Sequence, residues 1–294
     1  MHLRIGTRGS RLALAQTEIV CRMLAGEGIE VERVVIRTEG DEKTSIPLHE
    51  IGGYGLFVRA IDEAILEGRI DAAVHSMKDI PAKRPQGIET VAVLERDSPA
   101  DFLVCEGNID DVRSIGTSSI RRRAQLIRHF TDIEVRPLRG NLDTRVRRLR
   151  EGKYDAIVVA EAGIRRMGYV LGGRRLPTRD FVPTPNQGII AIVCRRDEDV
   201  MDLLSFMDHP ATRIDAEKER AVMEEVGAGC HAPLGIYSDE GYLIAEALTP
   251  DGMRRVRMER RIESIREARE CGGKFREEAL EILEEAKAYM GGTK

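Results

Sequence analysis

Glu67-Gly68-Arg69-Ile70-Asp71-Ala72-Ala73-Val74 returns, partly altered, as Glu151-Gly152-Lys153-Tyr154-Asp155-Ala156-Ile157-Val158. In each run a glycine of the kind that closes a helix is followed by an aspartate and a row of apolar residues. That pattern reads as a helix ending and a buried strand beginning. A second echo precedes each run in the same order. Ile5-Gly6-Thr7 and Ile115-Gly116-Thr117 are apolar strands turning through small polar residues into a helix. Two half-similar α/β units are implied, each strand, helix, strand, helix, strand.

Working outward, the spacing predicts helices over 12–24 and 57–66 and strands over 31–36, 70–74 and 91–94 in the first unit. In the second, helices follow Ser119 and Leu142, and Val135, Leu138 and 157–159 mark strands. The buried strand at 189–193 comes too late for the second unit and is expected to return to the first sheet. Two crossings would then lie near 95–100 and 182–187, stiffened by Pro99, Pro183 and Pro185. A charged amphipathic helix at 211–226 leads to three strands, 235–237, 242–248 and 255–262, and a closing helix over 277–290. The expected division is 1–95 with 187–207, then 96–186, then a small α+β domain over 208–294. Ligands of such sheets lie at strand C-termini and helix N-termini.

Between Ser114 and Arg150 stand ten arginines and no lysine, in a chain whose net charge is -4. Guanidinium grips carboxylate or phosphate with two parallel donors, so this bias points to a local site for a small polyanion. Five scattered cysteines without a CxxC pair, and histidines without metal-ligand spacing, give no reason to expect a disulfide framework or a metal. No secretory leader or membrane-length apolar run is read, so a cytoplasmic protein is expected.

Gly116-Thr117-Ser118-Ser119-Ile120-Arg121-Arg122 sets hydroxyls and unpaired N–H groups at a helix start, with two arginines opposing the helix dipole unless an anion is near. Arg139-Gly140-Asn141 followed by Arg145, and Thr7-Arg8-Gly9-Ser10, repeat the strand-to-turn arrangement. Arg147, Arg148 and Arg150 read as solvated helix face. Val74-His75-Ser76-Met77-Lys78-Asp79 ends a buried strand in polar side chains, where α/β enzymes keep catalytic groups. Among arginines, an aspartate could stabilise a cationic intermediate. Cys230, in the glycine-rich run Gly227-Ala228-Gly229-Cys230-His231, reads as an accessible thiol.

Taken together, His75-Ser76-Met77-Lys78-Asp79, Gly116-Thr117-Ser118-Ser119-Ile120-Arg121-Arg122, Leu138-Arg139-Gly140-Asn141 and Gly229-Cys230 closely resemble the porphobilinogen deaminase (hydroxymethylbilane synthase) family. Thr7-Arg8, Gly52-Gly53 and Gln187-Gly188 fit as well. The resemblance implies two periplasmic-binding-protein-like doubly wound lobes and a small α+β third domain, in a monomer without an obligate partner. It implies a transferase that condenses four porphobilinogens head to tail on a covalent dipyrromethane cofactor, releasing ammonia each time, and then hydrolyses off the linear tetrapyrrole. By resemblance Cys230 anchors the dipyrromethane, and Lys78, Ser119, Arg121 and Arg122 hold its carboxylates. Arg8, Ser10, Arg139, Arg145, Arg166 and Gln187 receive substrate, and Asp79 is catalytic. Loop motion around 43–55 is expected from chain elongation. His49, Tyr54 and Lys83 depart from the family pattern, so no loop contact is carried over.

Two other classes share part of this pattern. A non-catalytic two-lobed binding protein for an anionic solute would share the arginines but has no use for the Cys230 loop. A nucleic-acid binder using the arginine stripe would have little stacking surface, with six Phe, six Tyr and no Trp.

Overall fold

The computed structural model describes residues 2–37, 58–81, 84–227 and 232–292. They fall into two compact units, Met1–Asp97 with Gly188–Arg213, and Ser98–Gln187 with Ile214–Lys294.

The first unit opens with β1 (His2–Arg8), α1 (Arg11–Gly26) and β2 (Glu30–Ile36). Then come α2 (Arg59–Leu66), β3 (Ala72–Ser76), a single 3-10 turn over Met77–Asp79, and β4 (Ile88–Val93). In the second unit β5 (Asp101–Cys105) and β6 (Ser114–Gly116) lead to α3 (Ile120–His129) and β7 (Glu134–Arg136). It continues through α4 (Leu142–Arg150), β8 (Ala156–Ala160), α5 (Glu161–Arg166) and β9 (Gly173–Arg175). The chain then re-enters the first unit as β10 (Ile190–Arg195) and α6 (Glu198–Ser205). After α7 (Pro210–Val226) come β11 (Leu234–Asp239), β12 (Tyr242–Leu248), β13 (Arg255–Arg261), α8 (Ile265–Glu278) and α9 (Leu280–Gly292).

The first sheet has the order β2-β1-β3-β10-β4 and the second β7-β6-β8-β5-β9. In each, three parallel strands adjoin an antiparallel strand, β10 or β5, which also pairs with the last edge strand. The sequence echo is therefore a structural repeat, and its chemistry repeats too. Gly68 and Gly152 take φ of +69° and +68°, a left-handed helix end open to glycine. The aspartate that follows ties the start of the neighbouring strand. Asp71 accepts from the Arg4 amide at 2.8 Å, and Asp155 accepts from the Ser114 amide at 2.7 Å. At Gly116 a Cβ would meet Leu138 Cδ2 at 2.7 Å, so only glycine lets the strand pack this closely.

Apolar cores lie on both sides of the second sheet, one around Leu103, Ile115 and Leu126 and one around Leu138, Ile157 and Val159. A separate core around Val222, Ile236 and Phe275 fastens the antiparallel sheet β11-β12-β13 to α7, α8 and α9. The late strand β10 returns to the first sheet as expected. Two expectations are corrected. Leu138 is not in a strand but anchors the turn beyond β7 into the core at 1 % exposure. The closing helical region begins at Ile265 rather than 277, because Ser264 caps α8, its hydroxyl accepting from the Glu267 amide. The mixed composition of 265–276, with Cys271-Gly272-Gly273 inside it, hid that helix. Gly272 is needed there, since a Cβ would meet Glu225 Cβ at 2.9 Å.

Candidate active site

The parallel strands β6, β7 and β8 point one way, so their C-termini share an edge, and α3, α4 and α5 begin there. Ser119 caps α3, its hydroxyl accepting from the Arg122 amide at 3.4 Å, and Thr117 Oγ1 accepts from the Ser119 amide at 3.2 Å. β5 runs antiparallel to β8, pairing Asp101 with Ala160, and this brings an acid to the same edge. Asp101 Oδ2 accepts from Arg121 Nη2 and Oδ1 from Arg122 Nη2, both at 2.8 Å. Burial alone would push the Asp101 carboxyl up, but the two guanidiniums outweigh it and hold it well below the usual carboxylate range. Gln187, wholly buried, donates to Asp101 Oδ1 at 2.8 Å and accepts from Arg122 Nη2 at 3.4 Å.

This carboxylate balances one of two buried guanidiniums and leaves net positive charge. Arg122 Nε is buried without a hydrogen-bond partner among the described residues. Arg145, in the first turns of α4, donates from Nε to the Gly140 carbonyl at 2.8 Å and meets no carboxylate among the described residues. Burial, and then the neighbouring charge of Arg122, lower its pKa to about 10. Cations under such strain favour an anionic ligand. Arg139 is half-buried just before Gly140, and Arg166 is half-buried at the end of α5.

In the first unit the equivalent edge carries Arg8 at the end of β1 and Ser10 as the cap of α1, its hydroxyl accepting from the Ala13 amide at 3.3 Å. Ser76, closing β3, exchanges hydrogen bonds of 2.8 and 3.1 Å with the Gln16 amide. The next turn is pinned because the Met77 amide donates to the Ile189 carbonyl at 3.0 Å. Lys78 is half-buried, and Asp79 projects to solvent with no hydrogen bond or ion pair among the described residues. On β3 just before the turn, His75 is 5 % exposed. Burial, then Arg84 and Arg8, lower its pKa to about 3, so it is neutral. Arg84 itself is held by a buried ion pair with Asp62.

Cys230, with Gly229 and His231, lies outside the described residues, as do Gly52-Gly53, the 43–55 loop with His49 and Tyr54, and Lys83. Sequence reading missed Asp101, Gln16 and Gln125. Their one available signal was indirect, since two arginines in a first turn require a counter-ion from elsewhere.

The donor set fits a carboxylate-bearing group: a buried orphan Nε on Arg122, an uncompensated Arg145, and an N-terminal helix turn beside both. The class so defined is an α/β protein with two doubly wound sheets, one of which carries buried arginines at its strand C-terminal edge.

Comparison with known proteins narrows this. Residues 3–202 match the family model "Porphobilinogen deaminase, dipyromethane cofactor binding domain", and residues 214–281 match "Porphobilinogen deaminase, C-terminal domain". A probable porphobilinogen deaminase of Methanosarcina acetivorans is 46 % identical over 91 % of this chain and 89 % of its own. One from Archaeoglobus fulgidus is 46 % identical over 95 % and 99 %. The porphobilinogen deaminase of Syntrophus aciditrophicus is 42 % identical over 85 % and 84 %. Among solved structures, the methionine-binding protein MetQ is similar with a TM-score of 0.43 and 13 % identity, over 70 % of this chain and 89 % of its own. The chain belongs to the porphobilinogen deaminase family. It is therefore a transferase of tetrapyrrole biosynthesis with hydroxymethylbilane synthase activity and a dipyrromethane cofactor, not a passive solute-binding protein. Among the described residues no helix is long and apolar enough to cross a membrane.

Proposed function

We propose that porphobilinogen is the substrate of this chain, that Cys230 carries the dipyrromethane through a thioether, and that Asp79 is the catalytic carboxylate. The observation that carries the last assignment is the state of Asp79: a rigidly mounted, exposed acid at a strand C-terminal edge, with no partner among the described residues. An acid already paired inside the protein would have little negative potential left for a ligand. When bound, the dipyrromethane supplies the nucleophilic pyrrole carbon on which the chain is extended.

The protein's own side chains do the rest. Loss of ammonia from the aminomethyl group leaves an electron-poor substrate cation, and Asp79 stabilises that charge and takes up the proton released when the new carbon–carbon bond restores the ring. Each pyrrole brings an acetate and a propionate, so carboxylates accumulate with every addition. Arg122, Ser119 and Lys78 meet those of the cofactor, while Arg8, Ser10, Arg139, Arg145 and Arg166 meet those of substrate and product. Arg121 and Gln187, both deeply buried, act through Asp101 and Arg122. We further assign three domains, 1–95 with 187–207, 96–186 and 208–294, in a cytoplasmic monomer.

The test is intact mass together with turnover. Purified active protein is expected to exceed its chain mass by one dipyrromethane, and Cys230→Ser to lose that increment. A bare mass in fully active enzyme would overturn the anchor. Asp79→Asn is expected to keep the increment but lose ammonia release, and near-normal release would refute the role of that carboxylate.

A further inference from the structure

Glu246, on the middle strand β12, is 1 % exposed and faces α3. Its Oε1 accepts from Gln125 Nε2 at 3.1 Å. Gln125 Oε1 in turn accepts from Arg121 Nη1 at 2.8 Å, and both Arg121 and Gln125 donate to the Val182 carbonyl at 2.9 Å. Arg121 then grips Asp101, which grips Arg122. On its other side Glu246 Oε2 accepts from Arg257 Nη1 at 3.2 Å and faces Arg255 Nη1 at 3.5 Å. Every member from Glu246 to Asp101 is nearly solvent-free, so each hydrogen bond fixes its neighbour.

We propose that Glu246 is a positioning residue for the anion site: through Gln125 it sets the orientation of Arg121, and through Asp101 that of the Arg122 fork. The three-stranded sheet thus holds the arginines of α3 in register from behind. Arg257 and Arg255 account for its Oε2, whereas its Oε1 is turned to Gln125. An apolar side chain would pack there at no desolvation penalty, and Arg257 already has Glu259 as a partner at 2.7 Å. The inference rests on the reading that Arg122 meets the cofactor's carboxylates.

The experiment is the dipyrromethane occupancy of folded full-length protein by intact mass, for Glu246→Leu, Gln125→Leu, the double variant, Glu246→Gln and Arg122→Leu. Glu246→Leu and Gln125→Leu are each expected to lower the loaded fraction about tenfold, the size of one lost charge-assisted hydrogen bond. The double variant should be no worse than either, because both break one linkage. Glu246→Gln, which keeps an acceptor for Gln125, should restore at least half of the loading. Should the leucine variants not fold, Glu246→Asp decides instead, since it keeps a charge beside Arg257 and Arg255 but withdraws the acceptor from Gln125, with a lowered loaded fraction expected and full loading overturning the proposal. Full loading of folded Glu246→Leu, or additive losses in the double variant, would reduce Glu246 to a structural contact. Full loading of Arg122→Leu, or an unloaded wild type, would instead overturn the underlying reading.

Discussion

His75 should make the first unit acid-sensitive by a definite amount. Its ring is carried on β3 at 5 % exposure, and burial, then the charges of Arg84 and Arg8, take its pKa from 6.5 to about 3. Because the folded value is depressed, the unfolded chain binds the extra proton between those limits. The stabilisation is complete above pH 6.5 and is lost as pH falls toward 3. Proton linkage with these two values gives a loss of about 2 kcal/mol between pH 8 and pH 5. Asp62 faces Arg84 and tempers its charge without removing the penalty of burying an imidazolium.

The perturbation is His75→Leu, which removes the titrating group and keeps an apolar filling. Denaturant-dependent hydrogen exchange of the Ala72–Ser76 and Ile190–Arg195 peptides, corrected for intrinsic exchange, reports the stability of the sheet on which His75 sits. Other titrations are common to both proteins and cancel in the difference. Wild type should lose about 2 kcal/mol more than the variant on going from pH 8 to pH 5. Equal losses would mean that the imidazole finds a way to stay charged in the folded state, and the account of the buried cluster would be wrong.

Asp101→Asn should destabilise the second unit by about 3–5 kcal/mol, since two buried guanidiniums lose their shared counter-ion. Denaturant titration followed by exchange over Ile120–His129 measures it, and a loss under about 1 kcal/mol would show that other acceptors suffice. Gly68→Ala and Gly152→Ala should each cost about 1–2 kcal/mol through the left-handed backbone alone, because neither Cβ would meet an atom closer than 3.9 Å. Strongly unequal costs in thermal melts would argue that the two turns are not equivalent.

The repeat and the late strand were legible in sequence because both rest on local signals. Helix-closing glycines and a continuous apolar run announce themselves within eight residues. Asp101 was not legible. Its meaning depends on β5 running antiparallel beside β8, a pairing across 59 residues that no local pattern encodes. The same holds for Gln125, whose partner Glu246 is 121 residues away. Arg121 shows the limit from the other side. The sequence reading gave it to the cofactor's carboxylates, and in the structure the carboxylate it grips is that of Asp101. Arg145, marked by a weaker signal, meets no carboxylate among the described residues.

What separates the two halves of the repeat is charge compensation rather than backbone. The strand that ends at Ala160 is followed at once by Glu161, at the edge corresponding to that of β3. Glu161 is 7 % exposed and already satisfied, receiving Arg175 at 2.7 and 2.8 Å, Arg165 at 3.4 Å and the Ser98 hydroxyl. Burial would raise its carboxyl, but those donors, Arg175 foremost, bring it below the usual range. Its negative potential is spent inside the protein. In the first unit Arg84 is directed to Asp62 and Arg4 to Asp71, and Asp79 meets no cation among the described residues. A duplicated α/β frame can therefore present an available acid from one copy and available cations from the other simply by changing which charges find internal partners.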